Sequence, residues 1–152
     1  MAVKILHIIA SLEYSAPHLR KFLNKKTGSV DDVVSFMLEA AGTMKEDDIP
    51  DVIKEMRDIV KDPDYVEIPD LFTENIYRSM LSFCANLDDG EKAKKLMSVL
   101  KDESSYKKFR YRCLKLNLLK EFEMFQLSFL KGAVESWLKS INVDYEDDSR
   151  AV

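Results

Sequence analysis

Cysteine, histidine, glycine and proline are all scarce in this 152-residue chain, with two, two, four and four copies. Two cysteines, Cys84 and Cys113, cannot supply the disulfide framework of a small secreted domain. Both fall on helical apolar patterns and read as small buried hydrophobes in a reducing compartment. His7 and His18 form no HxxxH or HExxH pair, and CxxC is absent, so no metal site is spelled out. His7 sits among apolar residues at helical spacing and is expected in the core. The few glycines form neither GxGxxG nor GxxxxGK[ST], and no GxSxG occurs, which points away from Rossmann, P-loop and nucleophile-elbow chemistry. So little glycine and proline also leaves no long flexible linker.

Long apolar runs are missing as well, and none approaches the roughly 20 residues of a membrane span. The N-terminal MAVKILHIIASLEYS has one early lysine and an apolar stretch from Ile5 to Ala10. That stretch is short for a secretory leader, is interrupted by His7 and lacks a small-x-small cleavage site. The cytoplasm is the expected compartment, and no membrane partner is expected.

Hydrophobic residues at 46% and charged residues at 33% suit one folded domain with a sizeable core. The domain is expected over residues 1–143, with an acidic, frayed tail over 144–152. Net charge is −4 but unevenly placed: residues 1–30 carry +4, 31–90 carry −11, 91–120 carry +7 and 121–152 carry −4. Such blocks either pair within the fold or face different partners.

Apolar spacing predicts a helix over 3–14, ended by Ser15-Ala16-Pro17. Asn24 and Gly28 suit a tight turn, predicting a hairpin of 19–24 with 29–34. The competing reading starts a helix at Asp31-Asp32 and runs it through Val33–Met44. Asp47-Asp48-Ile49-Pro50-Asp51 reads as the capped start of a helix to Lys61, with Ile49, Val52, Ile53, Met56, Ile59 and Val60 as its apolar stripe. Tyr65-Val66-Glu67-Ile68, between Pro63 and Pro69, reads as a third short strand. Helices follow at 73–86, 90–101, 105–116 and 118–140, with Asp88 or Asp89 and Asp102–Ser105 as caps and Asn117 as a left-handed terminator. The fold class is therefore α+β, predominantly α-helical, with a small N-terminal β-hairpin packed on a helical bundle. The aromatic-rich last helix suits a core element or a face shared in a homodimer.

Two charged clusters are candidates for function. Glu46-Asp47-Asp48 and Asp31-Asp32 could bind a cation or exchange protons, but helix capping explains the first without function. Lys107, Lys108, Arg110, Arg112 and Lys115 lie on one predicted helix with Tyr106, Phe109 and Tyr111 between them. Arginine beside aromatics is the mixture that grips a nucleic-acid backbone and stacks bases. The simpler expectation is a solvated face with Phe109 inward and the arginines paired with the acidic residues of 46–74.

Several segments also occur together in a familiar order. They are Phe22-Leu23-Asn24-Lys25-Lys26-Thr27-Gly28-Ser29-Val30, Tyr65-Val66-Glu67-Ile68-Pro69, Tyr106-Lys107-Lys108-Phe109-Arg110, Leu116-Asn117-Leu118-Leu119-Lys120-Glu121-Phe122 and Glu135-Ser136-Trp137-Leu138. Over nearly its whole length the chain resembles the uncharacterised bacterial protein family numbered 0158, with its TGEV hairpin, IP segment, FxxF helix, GLxxxW junction and closing EWL. Asn117 stands where that family favours glycine, Phe122 where it favours tryptophan, Ser29 in place of the turn glutamate and Tyr106 in place of the first phenylalanine. The family has no assigned activity, so the resemblance implies no catalytic residues, metal or cofactor. The expectation is a non-enzymatic cytoplasmic interaction or regulatory protein. The alternatives are a nucleic-acid-associated protein using 105–116 and an enzyme built from scattered carboxylates with Arg110 or Arg112.

Overall fold

The computed structural model of the chain describes residues 3–12 and 18–151. Its elements make an α+β, predominantly helical fold. They fall into two units, one of Met1–Asp70 with Trp137–Val152, the other of Leu71–Ser136.

In the first unit, β1 (Val3–Lys4) runs directly into α1 (Ile5–Leu12). The helix begins two residues later than the spacing predicts because Val3 and Lys4 pair in parallel with β5 (Tyr145–Glu146). The expected stop at Ser15-Ala16-Pro17 lies outside the described residues. The acidic tail, expected to fray, is held by this pairing and by Asp148, whose Oδ1 accepts the Leu6 backbone N–H at 2.9 Å. A carboxylate there suits the positive end of α1. Ile5, Ile8, Ile9 and Leu12 are buried on one face of α1. His7 is exposed, contrary to expectation, because two residues on from Ile5 is about 200° around the helix.

The hairpin is present as β2 (Leu19–Asn24) and β3 (Val30–Val34), and β4 (Tyr65–Ile68) joins the other edge of β2 to give the antiparallel order β3-β2-β4. Its register pairs Phe22 with Asp31 and with Glu67. Asn24 Oδ1 accepts the N–H groups of Lys26 and Thr27 at 2.9 and 3.1 Å, and Gly28 takes φ 77°. This is the open left-handed conformation that glycine tolerates. Lys21, only 9% exposed, donates its ammonium to the Ser11 carbonyl, an acceptor left over in the last turn of α1. Arg20 grips Glu67 with both Nε and Nη2, which holds the Glu67 carboxyl below the usual range.

Asp31 and Asp32 sit in β3 rather than capping a helix, and Asp31 accepts the Tyr65 hydroxyl at 2.7 Å. A short α2 (Ser35–Ala41) follows at once without a side-chain cap. Glu46–Asp48 forms a 3-10 turn, and α3 (Asp51–Lys61) starts only after Pro50. Asp47 and Asp48 therefore do not cap it. Pro50 keeps the preceding Ile49 extended (φ −77°, ψ 123°), which breaks the helix at that point. Ile49 and Ile53 are buried with Ala41 against Met37 and Leu38, whereas Val52 and Val60 face outward.

The second unit contains α4 (Leu71–Ala85), α5 (Gly90–Met97), α6 (Tyr106–Lys115) and most of α7 (Leu119–Ser140). Asp89 caps α5, accepting from Glu91 and Lys92 N–H at 3.1 and 3.2 Å. Its core is Ile76, Met80, Phe83, Cys84, Leu96, Phe109, Cys113, Leu118 and Phe122. Phe109 and Phe122 meet with ring centroids 4.9 Å apart, and Phe83 closes the triangle at 5.2 Å from Phe122. Met97 and Leu114 are 47% and 55% exposed despite their apolar side chains. No described helix is long and apolar enough to cross a membrane.

Candidate interaction site

The site is built on α6, which is fixed at both ends and along its inner face. At its N-terminal end Asp102 and Ser105 form a reciprocal capping box across a 3-10 turn, Glu103–Ser105. Asp102 Oδ1 accepts the Ser104 N–H at 2.8 Å, and Ser105 Oγ accepts the Lys101 N–H at 2.9 Å. At its C-terminal end Asn117 adopts φ 59°, as its place in the sequence predicts. The Leu118 and Asn117 N–H groups then donate back to the Cys113 and Leu114 carbonyls at 2.8 and 3.2 Å, which satisfies the last turn. Phe109 and Cys113 are fully buried on the inner face.

With that face fixed, the five basic side chains separate. Arg110 turns into the fold: Nη2 donates to Glu123 at 2.8 Å, Nη1 to the Tyr106 hydroxyl at 3.4 Å, and the guanidinium lies 5.6 Å from the Tyr106 ring centroid. Burial opposes its charge, but the bonds to Tyr106 and Glu123 outweigh it, so its pKa lies above the ordinary value. Tyr106 donates in turn to Gln126 Oε1 at 3.0 Å. Arg112 Nη1 donates to the Lys95 carbonyl at 3.3 Å, near the end of α5. The sequence suggested pairing with the acidic residues of 46–74; Arg110 instead finds its carboxylate in Glu123, within its own unit. Lys107 and Lys108 stay exposed, and Lys115 places its ammonium 5.3 Å from the centroid of Tyr111, itself 59% exposed.

Lys107, Lys108, Tyr111 and Arg112 line an open groove of about 330 Å³ whose other wall is Val99. Three of the five basic residues singled out from the sequence thus converge, Lys115 flanks them through Tyr111, and Arg110 does not take part. Val99 is the member that sequence reading misses. It lies eight residues before Lys107 in an irregular segment, and only its apolar character beside Leu100 hints at a contact. The groove offers exposed ammonium groups, one partly anchored guanidinium, an aromatic face and a small apolar wall, which together suit an extended or helical anionic segment.

The remaining candidates do not assemble into such a site. Among the described residues no three His, Cys, Asp or Glu side chains come together as a metal-holding group. Cys84 and Cys113 are buried free thiols; burial raises both, and with Cys84 nearby Cys113 is pushed up to about 12. No family model, curated protein or solved structure matches this chain.

Proposed function

We propose that the protein is a non-enzymatic, cytoplasmic protein-interaction or regulatory module that receives an acidic partner segment in the groove of α6. The observation that carries this reading is the convergence of Lys107, Lys108 and Arg112 around the exposed Tyr111 and Val99. Cations of this kind steer encounter and set register, while an aromatic beside an apolar wall supplies burial at the centre of the contact. Nucleic acid is the less favoured occupant. Arg110, one of the two arginines of α6, is held by Glu123, which leaves a phosphate backbone one cation fewer to meet. The cytoplasmic location rests on the two reduced, buried thiols. Membership of the family numbered 0158 belongs to the same proposal and adds no activity to it.

The test is capture from a lysate of the native source on immobilised full-length protein, with and without nuclease, beside the Lys107→Glu/Lys108→Glu/Arg112→Glu variant. The expected result is a stoichiometric acidic protein, indifferent to nuclease and lost with the variant. Nuclease-sensitive material lost with the same variant would replace this reading with the nucleic-acid one.

A further inference from the structure

The groove on α6 has a complement in the same sequence. On α3, Asp51, Glu55 and Asp58 stand at i, i+4 and i+7, and all three are exposed. That spacing stacks them along one side of the helix. Val52, 53% exposed, borders them. Lys54 stands beside Glu55 and forms no ion pair among the described residues, and Arg57, next to Asp58, is committed to Glu46, donating at 3.1 and 2.6 Å. Asp51 and Glu55 make no side-chain hydrogen bond or ion pair among the described residues.

The same spacing on α6 aligns Lys107, Tyr111 and Leu114, with Lys108 and Lys115 alongside. Each ridge runs about 10 Å, from a rise of about 1.5 Å per residue. Lys107 and Lys108 likewise form no ion pair among the described residues. The charge of the whole units follows the same division. The unit holding α3 carries 11 basic and 18 acidic residues, net −7, and the unit holding α6 carries 12 basic and nine acidic, net +3.

We propose that the groove of α6 receives α3 of a second copy of this chain. The inference rests on the reading of α6 as an interaction groove and names its occupant. Asp51, Glu55 and Asp58 meet Lys107, Lys108 and Arg112, and Val52 lies against Tyr111 and Val99. Ridge and groove are different surfaces, so the contact is heterologous: it joins copies head to tail and extends into a ring or an open chain. Short complementary ridges with little apolar area give a weak contact that is strongest at low ionic strength.

Sedimentation velocity on the full chain tests this at about 50 mM and about 500 mM salt, with protein up to about 1 mM. The expected result is a mass that rises with concentration at low salt and returns to the monomer at high salt. Asp51→Lys/Glu55→Lys and Lys107→Glu/Lys108→Glu should each weaken association at least tenfold, with circular dichroism reporting an intact fold. Mixing the two variants should restore a complex, because one retains the native groove and the other the native ridge. A wild-type chain that stays monomeric at low salt overturns the proposal. So does association that persists in either charge-reversed variant. If the wild type stays monomeric yet Lys107→Glu/Lys108→Glu still abolishes capture of a foreign acidic protein, self-docking fails while the groove reading stands.

Discussion

Asn117 holds a left-handed conformation that costs most residues roughly 1–2 kcal/mol and that asparagine adopts more readily than other non-glycine residues. Asn117→Gly should therefore leave stability unchanged or slightly raised, whereas Asn117→Ala should lower it by about 1 kcal/mol in urea melts. Equal effects of the two would mean that the backbone angle is not what the position selects. Cys113 makes a second residue-level prediction. Its thiol ionises near 8.5 in an unfolded chain and is pushed up to about 12 in the fold. A raised acid contributes stability in full below its unfolded value and loses it as pH climbs through the folded one, because only the unfolded chain sheds the proton. Stability should fall between about pH 8.5 and 12, and the fall should be shallower in Cys113→Ala. In the native protein at pH 8, neither cysteine should react with a thiol reagent until denaturant is added.

At the scale of elements, α6 presents its groove because both ends are tied and its inner side is anchored by Phe109 and Cys113. Asp102→Ala removes the side-chain acceptor at the N-terminal tie and should lower the urea midpoint. Faster amide exchange should be confined to residues 103–107. Exchange that rises evenly along α6 would show the core side chains alone to set the helix. The elements most legible in the sequence are those whose signal is local. Asn24 and Gly28 mark the hairpin, Pro63 and Pro69 bracket β4, and Asp89, Asp102 and Asn117 mark helix ends. Where two local signals compete, reading from residues misjudges the winner: Asp47 and Asp48 look like caps, but Pro50 forbids the helix that they would start. Position on a helix face is less legible still. Leu114 and Met97 look inward by residue type, yet Leu114 is in phase with Tyr111 on the outer side of α6. The groove was half legible, since its cations are contiguous in sequence while Val99 and the diversion of Arg110 to Glu123 depend on tertiary packing.

On the scale of the whole molecule, charge is segregated along the chain and its two units keep that segregation. The acidic C-terminal residues are not free in this arrangement, because Tyr145–Glu146 pairs with β1 and Asp148 accepts from Leu6. Removing residues 144–152 should therefore destabilise the protein by about 2 kcal/mol, the order expected for a lost bond to a charged group. Asp148→Asn should reproduce part of that loss in thermal melts, and an unchanged midpoint for the truncated chain would show the pairing to be idle. The segregated charge also explains why the total of −4 is a poor guide to partners: a cationic groove sits in a chain that is acidic overall. The most direct test of that groove is a titration of isotope-labelled protein with an acidic helical peptide, followed through backbone amide shifts at low salt. Shifts centred on Val99, Lys107, Lys108, Tyr111 and Arg112 and abolished by Lys107→Glu/Lys108→Glu are the predicted result. Shifts elsewhere, or none, would contradict the assignment of α6 as the interaction site.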